Sequence, residues 1–129
     1  MSGKCMCEPS EILIFPCSGA SNCGQVTNEV GLKLRENGKG TMYCTAGIGG
    51  HVKALVEGTK QAKILVAIDG CPMGCAKKCL EAEGFSATVH FIVSQEVTMT
   101  KGYTRPGKED VSKAYTLVEK KLELARAER

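Results

Sequence analysis

The feature that most constrains this chain is KILVAID at residues 63–69, an almost unbroken apolar run. Its length is typical of a strand, and its lack of polar alternation predicts that both of its faces are covered. Strands of this kind occur mainly in parallel sheets that carry helices on both faces. The segment therefore favours an α/β fold.

Shorter apolar segments and helix-forming segments alternate along the rest of the chain. The predicted strands are residues 11–16, 41–46, 63–69 and 87–93. The predicted helices are residues 25–36, 51–60, 72–83 and 109–126. GIGGH is read as a turn, and residues 94–108 as a longer connection without assigned structure. We therefore expect an α/β, three-layer domain: a mainly parallel sheet of about four strands with helices on both faces.

Length and composition narrow the class of protein. A chain of 129 residues suits one domain over residues 1–129, with the motif-bearing core at about 11–100. It has no Trp, three Phe, three Tyr and a net charge of +3, so no nucleic-acid partner is expected. No targeting or membrane segment is visible, which predicts a cytoplasmic protein without a membrane role. Protein partners cannot be predicted from these features.

Three of the eight cysteines follow or end predicted strands. Cys17 follows the first strand, Cys44 lies at the end of the second and Cys71 follows the third. Because ligands of open α/β sheets gather outside the carboxyl ends of the strands, these thiols are aimed at one rim. Cys75 is placed one turn into the helix that Cys71 opens. In the reducing cytoplasm, clustered thiols indicate metal or redox chemistry more often than disulfides.

The geometry of a zinc site shows which cysteines of DGCPMGCAKKC, residues 69–79, can bind one ion together. Tetrahedral zinc with Zn–S bonds of about 2.3 Å places neighbouring sulfurs about 3.8 Å apart, which Cys71 and Cys75 can meet. Eight helical residues separate the backbones of Cys71 and Cys79 by about 12 Å, too far for one ion. Cys79 is therefore read as a small buried apolar residue. The helix start also favours thiolate at Cys71 and Cys75.

Three motifs in order, PCSG at 16–19, C-x-AGIGGH at 44–51 and DGCPxxCAxKxLExxG at 69–84, resemble the DGC-domain family of zinc-binding proteins. The resemblance spans most of residues 11–100. It implies a small α/β domain with a four-cysteine Zn²⁺ site and no assigned reaction. The cysteines of the family pattern correspond here to Cys17, Cys44, Cys71 and Cys75.

Two hypotheses remain for the role of several other residues near the rim. Asp69 either orients a metal ligand or acts as a base, or it hydrogen-bonds backbone amides near a helix start. His51 replaces a thiol ligand or shuttles protons, although a surface helix histidine is the commoner case. His90 is read as structural. The remaining cysteines either bind a second metal or are spare thiols: Cys5, Cys7, Cys23 and Cys79.

Two functional alternatives stay open beside a zinc protein with a metal-handling or structural role. The Gly/Ser-rich loop CSGASNCG, residues 17–24, offers backbone amides to an anion, but it lacks the Arg of a phosphatase loop. A thiol-based redox or anion-processing enzyme would use Cys17 as nucleophile and Cys71 or Cys75 as the resolving thiol. Four thiolates also suit an iron–sulfur cluster. Whether the protein is an enzyme is left open at this stage.

Overall fold

The computed structural model describes residues 11–128, which form four strands and six helices. The strands are β1 (Ile12–Pro16), β2 (Thr41–Met42), β3 (Ile64–Asp69) and β4 (Val89–Ile92). The helices are α1 (Asn22–Glu36), α2 (Thr45–Gly49), α3 (Lys53–Lys60), α4 (Cys75–Ala82), α5 (Val93–Glu96) and α6 (Lys108–Ala127). Among them, none has the length and apolar character that a membrane crossing requires.

The four strands form one sheet in the order β2-β1-β3-β4, and every neighbouring pair is parallel. β3 is buried at all six positions, as its continuous apolar sequence predicts. It pairs with the whole of β1, from Ile12 opposite Ile64 to Pro16 opposite Ile68. The predicted parallel α/β fold is thereby confirmed.

Helices cover both faces of the sheet, so the predicted three layers are present. Alternation along β1 shows the division, because Ile14 contributes to one apolar cluster and Leu13 and Phe15 to the other. The Ile14 cluster includes Val26, Val30 and Leu34 of α1 and Ala114, Val118 and Leu122 of α6. The opposite cluster includes Ile48 of α2, Leu55 and Val56 of α3, and Ala76 and Leu80 of α4.

Helix α1 begins three residues earlier than the predicted start at residue 25. The Ser21 hydroxyl accepts the backbone N–H of Gly24 at 3.1 Å, which satisfies a free amide of the first turn. The end of the helix is as expected, with Gly38 at φ 70° just beyond Glu36. Part of the segment read as an anion-binding loop is therefore helical.

The region after β2 departs most from the sequence prediction. The strand predicted for 41–46 ends at Met42, and the turn predicted for 47–51 is wrong as far as Gly49, because Thr45–Gly49 is helical and only residues 50–51 form a turn. A five-residue helix is too short to show a helical period. The next helix begins at Lys53 rather than at 51, because His51 has a left-handed φ of 62°.

Helix α4 begins at Cys75, not at the predicted residue 72. Gly74 precedes it with φ 65°, a left-handed conformation that interrupts helix before α4 starts. The Gly74 N–H donates to the Cys71 carbonyl at 3.2 Å, so residues 71–74 form a turn. The prediction that Cys75 lies one turn into the helix is therefore wrong, since Cys75 is its first residue.

Candidate metal centre

The order of the strands creates a crevice between β1 and β3. From β1 the chain passes through α1 to β2 on one side, and from β3 through α4 to β4 on the other. The connections after these two neighbouring strands thus leave in opposite directions, the position where open α/β sheets bind ligands. Cys17 lies in the first connection and its N–H donates to the Ile68 carbonyl at 2.9 Å, while Cys71 lies in the second.

Glycines let the two connections pack directly on the start of α1. A Cβ added to Gly70 would lie 2.6 Å from the backbone N of Gly24, and one added to Gly24 would lie 2.7 Å from the backbone of Gly19. Real Cβ atoms do not approach backbone this closely, so neither position accepts a side chain without displacement. The loops that hold Cys17 and Cys71 are therefore fixed against the same helix.

Cys17 is partly buried and contacts a buried threonine. Its Sγ lies 3.7 Å from the Thr27 Oγ1, and the same hydroxyl accepts the Ser18 N–H at 2.9 Å. Thr27 in turn donates to the Gly24 carbonyl at 2.6 Å. These contacts fix the loop after β1, in which Ser18 has a positive φ of 51°.

The other three predicted ligands lie at the same carboxyl edge of the sheet. Cys71 follows β3 and is partly buried, and Cys75 is exposed at the first position of α4. Cys44 is exposed two residues after β2 and occupies the N-cap position of α2. The backbone thus places all four predicted ligand positions on one rim.

The side chains at this rim do not form a preassembled ligand set. Within residues 11–128, no three His, Cys, Asp or Glu side chains are close enough to hold one metal ion. A metal bound by Cys17, Cys44, Cys71 and Cys75 thus requires side-chain rotation or movement of the segments that hold them. The set still suits zinc chemically, because four thiolates satisfy its tetrahedral preference.

Asp69 is 1% exposed and holds the start of α4. Its Oδ1 accepts the Ala76 N–H at 2.6 Å, and its Oδ2 accepts the Lys77 N–H at 3.2 Å. Because Gly74 has no capping side chain, Asp69 supplies the cap from the end of β3. His90 Nε2 hydrogen-bonds the same Oδ2 at 2.7 Å. Asp69 therefore bonds backbone amides near a helix start, as one of its two interpretations expects, and the structural role of His90 stays a prediction.

His51 lies in a different environment from the rim cysteines. It is exposed between α2 and α3, and its Nδ1 contacts the Glu83 carboxylate at the end of α4. This contact gives the histidine a surface role on the face that carries α2 and α4. A ligand role for His51 receives no support from its position.

Cys23 is buried, whereas Cys79, expected to be buried, is partly exposed. Burial raises the pKa of the Cys23 thiol, and the nearby Cys71 raises it further. Burial also raises the pKa of the Cys79 thiol, with smaller contributions from Cys75 and Asp69. Both side chains belong to or pack against the apolar clusters, so they are neutral thiols near neutral pH. Cys5 and Cys7 lie outside the described residues.

A feature that the sequence did not reveal is a segment folded over the rim, residues 100–102, here called the rim strap. Asn22 at the start of α1 binds it through three hydrogen bonds. Its Nδ2 donates to the Thr100 carbonyl at 3.0 Å, its Oδ1 accepts the Gly102 N–H at 2.7 Å, and its own N–H donates to the Gly102 carbonyl at 2.8 Å. The Lys101 Nζ then lies 3.8 Å from the Cys71 Sγ. No local sequence motif predicts contacts between residues so far apart in the sequence.

The first-turn amides of α1 all have protein acceptors. The Asn22 N–H donates to the Gly102 carbonyl, the Cys23 N–H to the Asn22 Oδ1 at 2.8 Å, and the Gly24 N–H to the Ser21 hydroxyl. These amides are therefore not directed at a ligand. An anion-binding role for the loop would therefore depend on amides that precede α1, and the Cys17 enzyme stays a prediction.

Comparisons with known proteins agree with this architecture. A family model described as the DGC domain matches residues 13–118. The chain is also similar to the Anaerobic and virulence modulator AnvM of Pseudomonas aeruginosa, with 37% identity over 83 residues. That match covers 64% of this chain and 63% of the relative, so the chain spans less than two thirds of that protein. No solved structure matches this chain.

Proposed function

The chain belongs to the DGC-domain family, and from that premise we propose that it is a zinc-binding protein. In this proposal Cys17, Cys44, Cys71 and Cys75 hold one Zn²⁺ at the carboxyl rim of the sheet. The observation that carries it is the convergence of cysteine-bearing connections at the crevice between β1 and β3. A zinc ion there would add a cross-link between the connections that follow β1, β2 and β3.

The donor set suits zinc. Sulfur ligands select soft or borderline metals, and a four-thiolate site leaves no open coordination position for catalysis. With all four ligands bound, the ion is structural or a cargo in metal handling. Displacement of one ligand would open a position that can activate water, which is the catalytic variant of the same proposal.

A role in regulation or metal handling also accords with the relative. Its name describes an anaerobic and virulence modulator, and names no reaction or substrate. Extended to this chain, that likeness supports a regulatory role, to which the zinc site adds metal handling as part of the proposal. An iron–sulfur cluster on the same thiolates is the remaining alternative, and anaerobic purification distinguishes it by a brown colour.

The proposal is tested by zinc content and thiol accessibility. Elemental mass spectrometry of untagged, reduced protein should find about one zinc per chain, and chelation should expose the four ligand thiols to alkylation. Cys71→Ser and Cys75→Ser should each lose most of the zinc, because each removes a ligand from a four-ligand site. Cys5→Ser and Cys7→Ser are the controls and should retain it. Equal zinc loss in both pairs would refute this ligand assignment.

A further inference from the structure

The rim strap places a single cation at the proposed ligand that follows β3. Lys101 is exposed along its length, yet its Nζ lies 3.8 Å from the Cys71 Sγ, within hydrogen-bonding distance for sulfur. Among the ion pairs of the described residues, Lys101 is paired with no carboxylate. Its charge is therefore available to the thiol it contacts.

Asn22 fixes the backbone on both sides of Lys101. It binds the Thr100 carbonyl and both the N–H and the carbonyl of Gly102, so the lysine is the central residue of a clamped tripeptide. A flexible lysine side chain usually loses much rotational freedom when it holds one partner. The clamp reduces this cost, because the backbone that carries the side chain is already fixed.

The positive charge of Lys101 would have an electrostatic effect on a thiolate metal site. A zinc ion bound by four thiolates carries a net charge of about −2, which a partly buried rim does not favour without a counter-charge. An ammonium that donates a hydrogen bond to one thiolate offsets part of that charge and fixes the position of the sulfur. Groups that hold metal ligands in this way commonly alter metal affinity by about 10- to 100-fold.

We propose that Lys101, held by the Asn22 clamp, is the positioning and charge-compensating residue of the zinc site and slows release of the metal from Cys71. This inference rests on the proposed function. It assigns to the rim strap a role in zinc retention, exerted by a residue that does not itself bind the ion.

Zinc release from loaded protein measures this role directly. With excess EDTA as the competing chelator, Lys101→Met should release zinc about 10-fold faster than the wild type. Lys113→Met is the matched control, because it removes the same charge from an exposed site on α6 and should release zinc at the wild-type rate. Lys101→Arg should restore most of the retention, since it keeps both the charge and the donors. Asn22→Ala should resemble Lys101→Met.

Two further readouts separate a contact with Cys71 from a general loss of structure. In Co²⁺-substituted protein, the sulfur-to-cobalt charge-transfer band should shift in Lys101→Met and not in Lys113→Met. In reduced, metal-free protein, a short amine-to-thiol cross-linker should join Lys101 to Cys71, and the product should disappear in Asn22→Ala. Failure of the wild type to form this cross-link overturns the assignment of Lys101.

The outcomes distinguish this inference from the function on which it rests. If the wild type retains zinc but Lys101→Met and Lys113→Met release it equally fast, the role of Lys101 is overturned and zinc binding stands. If the wild type retains no zinc after reconstitution, the proposed function is overturned, and the role of Lys101 in retention falls with it.

Discussion

The two halves of the rim differ in how tightly the fold holds them. In the switch-point half, comprising the connections 17–21 and 70–74, backbone packs on backbone through glycines and a buried carboxylate caps the helix that follows. In the edge half, residues 41–49, a two-residue strand leads to an exposed Cys44 and a five-residue helix without a side-chain cap. One half of the proposed site is thus closely packed on backbone, and the other presents its cysteine at an exposed position.

In the proposed zinc site, the closely packed segments would hold Cys17 and Cys71 near the crevice, and the edge half would supply the exposed Cys44. Preorganisation of part of a site lowers the free energy that must be spent on ordering when the ion arrives. The comparison predicts that substitutions in the switch-point half cost more stability than chemically matched ones in the edge half.

The largest effect is expected from glycine substitution. Gly70→Ala should lower the free energy of unfolding by about 3 kcal/mol, because its Cβ meets the backbone of Gly24, which cannot move aside. Gly47→Ala in the edge half should cost less than about 1 kcal/mol, because its Cβ clashes with just the end of the flexible Leu55 side chain, meets the Cys44 Cβ at an ordinary 3.5 Å, and alanine favours helix. Urea denaturation in EDTA measures both. Equal losses would remove the distinction between the two halves.

A smaller effect is expected from the two carboxylates that contact histidines. Asp69→Ala should cost about 2 kcal/mol, because it leaves the amides of Ala76 and Lys77 without their acceptor. Glu83→Ala should cost less than about 1 kcal/mol, since its partner His51 is exposed. Thermal unfolding of the metal-free variants checks the pair. A larger loss for Glu83 would show that the α4 start does not depend on Asp69.

The smallest effect concerns alkaline pH. Because burial raises the pKa of Cys23 in the folded state, its stabilising contribution is complete below the unfolded thiol pKa of about 8.5 and is lost as the pH rises through the higher folded value. The stability advantage of the wild type over Cys23→Ala should therefore shrink between neutral pH and strongly alkaline pH. Urea midpoints of reduced, metal-free protein test this, with Cys5→Ala as the control. A constant difference would contradict the raised pKa.

The sequence predicted the architecture because its strongest signal is long and apolar. The segment KILVAID predicts a strand that is covered on both faces. The alternation of strands and helices around it predicts the parallel sheet and the positions of Cys17 and Cys71 at strand ends. Helix starts were predicted less well. The left-handed conformation of Gly74 leaves no periodic signature, so the start of α4 was placed three residues too early.

The contacts at the rim cannot be predicted from local sequence patterns. Asn22 and Gly102 are 80 residues apart in sequence, and the contact of Lys101 with Cys71 depends on that pairing. The sequence does not choose between the two hypotheses for Asp69. The acceptor of the α4 amides comes from the preceding strand, whereas a local capping pattern would place it at the residue before the helix. Such contacts follow from tertiary structure, which propensity and spacing do not contain.

The separation between Asn22 and the rim strap has a consequence for the order of events during synthesis. Every cysteine of the chain, from Cys5 to Cys79, leaves the ribosome before Lys101 does. Since a chain emerges from its N-terminus and folds as it emerges, the thiols of the rim are present and uncovered while the residues that fold over them are still being made. The rim strap can therefore pack against Asn22 only after every rim cysteine has left the ribosome.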